Sequence, residues 1–116
     1  EPVAWVSIAP KQTFPKIGGP TPASGETVWS LTCMYIRRHL RGVGLAHEMI
    51  GAAVEHAQAN GATVVEAYPV DPDSPSYRFM GFVPAFARAG FVEVGMEGSR
   101  RHVMQLTLCR GFRGKG

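Results

Sequence analysis

Between Ile36 and Ala46 the chain reads I-R-R-H-L-R-G-V-G-L-A. Arg37, Arg38 and Arg41, with His39 among them, crowd positive charge where an apolar, β-rich run ends and a helical pattern begins. A helix N-terminus presents backbone N–H groups without partners and the positive end of its dipole, so it draws phosphate. Gly42 and Gly44 have no Cβ to hold a bulky anion off the backbone. A phosphate of a nucleotide or cofactor is the ligand class these residues suit. The turn lacks the G-K-[ST] ending of a P-loop, and Gly42 to His47 lacks the third glycine of the dinucleotide fingerprint. What it does carry is R-x-x-G-x-A, at Arg41, Gly44 and Ala46.

Few other residues suggest proton or group transfer. Glu66 sits in a strand-like run, where it is either a carboxylate that takes a proton, directly or through water, or an ordinary exposed or salt-bridged one. Asp71 and Asp73 follow in a turn and either draw a cation or serve the turn alone. Tyr77 has a hydroxyl able to give a proton, and a structural role fits it equally. His39 and His47 flank the central turn as exposed side chains or phosphate contacts. The four histidines and the two cysteines, Cys33 and Cys109, fall at no recognised metal-ligand spacing, so no metal is expected. The cysteines read as buried thiols rather than a disulfide.

The elements that must position these residues follow from hydrophobic period. Val3 to Ala9 alternates with apolar residues on both faces, as in an internal or well-covered strand ended by Pro10. Residues 11–27 are rich in proline and glycine without periodicity, which makes a long loop. Val28 to Ile36 is a second strand. From about Gly42 to Asn60, apolar residues at three- and four-residue spacing give an amphipathic helix stopped by Asn60-Gly61. Ala62 to Tyr68 is a third strand, and a strand after such a helix implies a parallel βαβ unit. Ser76 to Ala89 predicts a second helix or two pieces broken near Gly81 or Pro84. Phe91 to Met96 and His102 to Leu108 predict an antiparallel hairpin, and residues 110–116 a frayed tail. The fold class is α/β (α+β), one domain over 1–116, with a mixed sheet of about five strands in the order β-β-α-β-α-β-β.

Composition narrows the function classes. With 45% hydrophobic and 18% charged residues over 116 positions, the chain suits one globular domain rather than disorder. It has neither an apolar run of membrane-spanning length nor a leader pattern, so a cytoplasmic setting without membrane contact is expected. The charge of +3 gathers at the central turn and in the tail, without the aromatic interleaving of RNA-binding surfaces. The chain begins at Glu1, as a processed product or a fragment would.

R-x-x-G-x-A between a strand and a long helix resembles the acetyl-coenzyme A motif [QR]-x-x-G-x-[GA] of the GNAT family of N-acetyltransferases. F-A-R-A-G-F, Phe86 to Phe91, is similar to that family's Y-x-x-x-G-F, and the resemblance covers about Val3 to Leu108. It implies a GNAT-like acyltransferase fold in which Val28–Ile36 and Ala62–Tyr68 splay apart for the pantetheine arm. It implies that Tyr35, Ile36, Arg37, Arg38, Arg41, Gly42, Val43, Gly44, Leu45 and Ala46 bind coenzyme A, with Ile36 pairing to pantetheine and the backbone of Val43 to Ala46 on the pyrophosphate. The chain departs from the family in three ways. The family's N-terminal strand and helices do not precede Val3 in this sequence, which is either a fragment or a compact form whose acceptor pocket is completed by the loop at 11–27 or by a second subunit of a homodimer. Phe86 replaces the thiolate-protonating tyrosine, with Tyr77 as substitute. Leu31 stands where some members have a basic glutamate, which leaves Glu66 as the candidate base.

The expected function is direct transfer of an acetyl or other acyl group from acetyl-coenzyme A to an amine of a small molecule or protein. The alternative is a non-catalytic module that binds coenzyme A or acyl-coenzyme A. Nucleic-acid binding through the arginines is a weaker third.

Overall fold

The structure, a computed structural model, describes residues 4–36 and 44–108. Five strands and two α-helices follow as β1 (Ala4–Pro10), β2 (Val28–Ile36), α1 (Leu45–Ala59), β3 (Val64–Ala67), α2 (Val83–Arg88), β4 (Val92–Glu97) and β5 (Arg101–Thr107). This is the β-β-α-β-α-β-β order that the hydrophobic periods predict. The strands lie in one mixed sheet in the order β1-β2-β3-β5-β4, with β2 and β3 parallel and every other neighbouring pair antiparallel, so β1 is an edge strand and not the internal one its two apolar faces allowed.

Alternation along the strands gives the sheet two unlike faces. Leu31, Val65, Ala67 and Met104 point to one side, where Ile50, Ala53 and Ala57 of α1 and Phe86 of α2 bury against them. Covering a side chain such as Ile50 is worth about 1.5–3 kcal/mol, and this layer is the main core. On the other side one row crosses all five strands, from Ala9 through Ser30, Glu66 and Gln105 to Val92. No α-helix covers that row. The loop between β1 and β2 lies there instead, with Ile17 packed on Tyr68, Met80 and Val103.

Two departures from regular structure matter for the site. Ser7 pairs with Cys33 but the next residue, Ile8, pairs with Leu31, so Thr32 is an extra residue in β2. A bulge of this kind bends its strand. Pairing of β2 with β3 ends at Leu31 and Ala67, immediately before that bulge, and β2 continues to Ile36 in register with β1. The second departure is in residues 76–89, where of the two readings open the structure has the two pieces: a 3-10 turn at Arg78–Met80 and the short α2. Gly81 makes the break, at φ 89°, and a Cβ there would stand 2.8 Å from the buried Phe86 ring. Pro84 interrupts nothing, because it lies in the first turn of α2 where no N–H is needed.

Candidate functional site

The parting of β2 from β3 is the first component. Beyond Leu31 and Ala67 the two parallel strands share no register, and the chain after β3 takes other partners. Val70 accepts from the Val83 N–H at 3.0 Å and donates to the Gly81 carbonyl at 3.0 Å. The 3-10 turn ahead of Gly81 packs against β2, so the segment Arg78–Phe82 bridges the parted strands.

At the far end of β2 stand Tyr35 and Ile36. Tyr35 is exposed and stacks on Trp5, with ring centroids 6.2 Å apart. Of the other residues expected to hold coenzyme A, Arg37, Arg38, Arg41, Gly42 and Val43 lie outside the described residues. Gly44 caps α1 in the left-handed conformation, φ 85° and ψ 2°, without a side-chain cap hydrogen bond. Among the described residues nothing but its chain neighbours lies within 4 Å of where its Cβ would be. Leu45 and Ala46 open the helix, whose first-turn N–H groups have no i−4 partner inside it. A parted strand pair leading to an open glycine at a helix N-terminus fits a long ligand with an extended amide arm and a phosphate end.

Glu66 lies near the other end of the parting. Its side chain is fully buried, and both oxygens are engaged. Oε1 pairs with Lys11 Nζ at 2.5 Å and accepts from the Tyr68 hydroxyl at 2.6 Å, while Oε2 accepts from Gln105 Nε2 at 2.7 Å. Ser30 Oγ is 2.7 Å from the Tyr68 oxygen. Burial, and next the hydrogen bond to Glu66, push the Tyr68 hydroxyl well above the ordinary tyrosine range, so it stays a donor. Of the two readings open for Glu66 in the sequence, the salt-bridged strand carboxylate describes its setting here.

Tyr77 sits elsewhere. It is exposed, holds φ 60°, lies 6.3 Å from Phe79 and carries the Arg101 guanidinium 5.1 Å from its ring centre. It shares no partner with Glu66 among these contacts. Phe86 is a core residue, edge-on to Phe91 at 5.2 Å. The spacing Y-x-x-x-G-F also occurs at Tyr77 to Phe82, where a tyrosine does stand first. Asp71 meets His102, with Oδ1 3.2 Å from Nε2.

Sequence reasoning missed Tyr68, Ser30, Gln105 and Lys11. Tyr68 was within reach, because residues i and i+2 of a strand share a face. Lys11 was not, because only the course of a long loop brings it to Glu66. Among the described residues no group of three or more histidine, cysteine or acidic side chains is placed to hold a metal, and no helix is long and apolar enough to cross a membrane.

No curated protein sequence matches the chain. Solved structures do. One is the NatC complex bound to Gag peptide and CoA, with TM-score 0.65 and 11% identity over 93% of this chain and 62% of that one. Another is an acetyltransferase of the GNAT family from Listeria monocytogenes, with TM-score 0.59 and 14% identity over 91% and 58%. The chain thus spans less than two thirds of the length of these neighbours, and at such identities the likeness is one of fold. The model of the acetyltransferase (GNAT) family matches residues 1–82, and that stretch includes β1, β2, α1, β3 and the turn at Tyr77. With more than half its length matched by that model, the chain belongs to the GNAT acetyltransferase family.

Proposed function

We propose that this protein transfers an acyl group, most simply acetyl, from acyl-coenzyme A to an amine. The observation that carries the reading is the parting of β2 from β3 at the Thr32 bulge, with the open Gly44 turn at the start of α1. Tyr35 and Ile36 would line the extended arm, and the backbone from Gly44 to Ala46 would receive the pyrophosphate. The thioester supplies an activated acyl carbon. The acceptor, neutral when it attacks, forms the new C–N bond as the C–S bond breaks; the nitrogen's proton leaves to a base, and the thiolate takes up a proton. Glu66 is the buried carboxylate nearest the parting in the register, and Tyr68 and Ser30 link it to the strands' point of separation. The solved neighbour bound to a peptide and CoA is consistent with an amine acceptor on a peptide or a smaller molecule.

Titration with acetyl-coenzyme A by calorimetry tests the reading. Saturable binding is expected, followed by thiol release when primary amines are added, and absence of binding overturns the proposal. The non-catalytic alternative draws support from one observation, that both oxygens of Glu66 are already engaged. It predicts binding without thiol release for every amine tried.

A further inference from the structure

Glu66 is a fully buried carboxylate whose charge partner belongs to another part of the fold. Tyr68 and Gln105, its other two partners, sit on or directly beside the sheet strands. Lys11 comes from a three-residue 3-10 turn at the start of the loop between β1 and β2, and that turn has no side-chain cap. Its ammonium also donates to the Pro20 carbonyl at 3.0 Å, so the same group ties the loop to itself. Between Lys11 and the end of the loop at Thr27, which accepts from the Val64 N–H at 3.2 Å, the loop is tied to the sheet by Gly19 N–H to Glu97 Oε1 at 3.1 Å and Arg101 to the Ile17 carbonyl at 3.2 Å. Gly19 lies directly over the carboxylate, where a Cβ would come 3.0 Å from Oε1. An open cavity of about 440 Å³ lies along the loop, lined among others by Lys11, Gly19, Phe14 and the carboxylate-bearing Glu26, so Lys11 and Gly19 stand between it and the buried Glu66.

We infer that Lys11 is a built-in stand-in for the acceptor, and that the acceptor docks as a cationic primary amine in place of the Lys11 ammonium on Glu66, giving one proton to that carboxylate to become the neutral amine that attacks. The seat belongs to the sheet, while its present occupant belongs to a strap that can lift. A buried carboxylate demands a cation, and an alkylammonium offers the same three N–H donors on the same kind of apolar stem. A neutral alcohol would leave Glu66 without a counter-charge, and an anion would be repelled. Glu26 at the cavity wall favours the approach of a cation over either. Ser30 is the register partner of Glu66, one pair before the last pair of β2 and β3, and Tyr68, which bonds both, follows directly on that last pair, so the seat lies one residue pair from the place where the acyl group would be presented. The identity of the acceptor rests on the acyl-transfer reading, but the seat can be read without coenzyme A.

Calorimetric titration with n-butylammonium chloride, against n-butanol as control, tests it. Lys11→Met is expected to bind n-butylammonium at least tenfold more tightly than the unaltered protein, the double variant Lys11→Met with Glu66→Gln to lose that gain, and n-butanol to bind none of them. Equal affinity for n-butylammonium with and without Lys11 overturns the inference. Should Lys11→Met not fold, hydrogen exchange at the Gly19 amide of the unaltered protein decides. Exchange several-fold faster in saturating n-butylammonium than in equal sodium chloride supports displacement of the strap, and unchanged exchange refutes it. Loss of acetyl-coenzyme A binding with the ammonium seat intact would remove the acyl-transfer reading alone, and the reverse pattern would remove the seat alone.

Discussion

At His102 one imidazole meets two carboxylates, Glu93 at 2.9 Å from Nδ1 and Asp71 at 3.2 Å from Nε2. Its own N–H donates to the Pro69 carbonyl at 2.8 Å, so the residue fastens the β4–β5 hairpin to the turn that follows β3. Burial works against the charged ring, but the hydrogen bonds to Glu93 and Asp71 outweigh it, and the pKa is raised above 6.5. A group whose pKa is higher when folded stabilises fully below its unfolded value and loses that contribution as pH rises through the folded one. Urea unfolding should therefore show the unaltered protein gaining more over His102→Asn at pH 6 than at pH 9. Asp71 and Glu93 are 62% and 46% exposed, so screening by solvent keeps the difference within about 1 kcal/mol. An equal difference at both pH values would mean the ring is not charged by these neighbours. None of this was legible in the sequence, where His102 was one strand residue among others. Glu66 was legible as a candidate because its type and strand were, whereas its burial was not, since a loop without periodicity supplies its cover and its counter-ion.

Elements with a strong period were read from the chain alone. The α1 stripe and its Asn60-Gly61 stop, and the limits of β2, follow from local pattern, and so does the parallel pairing that a strand–helix–strand unit implies. Of the two features that shape the site, one was silent and one was half legible. An extra residue at Thr32 does not show in a sequence of alternating apolar residues, whereas a break near Gly81 was one of the readings open for residues 76–89, and the closeness of the Phe86 ring is what decides for it. Gly44, by contrast, was marked by its type, and its geometry supports a specific expectation. Alanine there must adopt φ 85° without meeting, among the described residues, any but its chain neighbours within 4 Å, so Gly44→Ala should lower stability by about 1 kcal/mol through backbone strain alone. If that open space receives the pyrophosphate, the new methyl group stands in it. The dissociation constant for coenzyme A should then rise more than tenfold, a loss larger than the change in stability accounts for. Calorimetry beside urea unfolding separates the two effects, and an unchanged affinity would place the phosphate elsewhere.

Across the whole molecule, the sheet is sealed on one face by α1 and α2 and strapped on the other by a single loop. Its central parallel pair is joined over only four residue pairs, from Val28 with Val64 to Leu31 with Ala67. The middle of the fold is thus held by its flanks, with Val70 and Gly81 to Val83 closing what the strands leave unpaired. A ligand laid along the parted strands would add main-chain hydrogen bonds where the native state has fewest, and it could do so only in the folded chain. Binding confined to the folded state stabilises it by about 2.7 kcal/mol at a hundred times the dissociation constant. In a domain of this size that corresponds to a rise in melting temperature on the order of 10 °C or more. Acetyl-coenzyme A and free coenzyme A should both produce the shift, because the arm and the phosphates are common to them. An RNA oligonucleotide at equal phosphate concentration should not, if the arginines of the central turn serve a cofactor rather than a nucleic acid. A shift produced by RNA, abolished by moderate salt and absent with coenzyme A, would reverse that assignment: counter-ion release drives backbone binding, and nothing in it requires two strands to part.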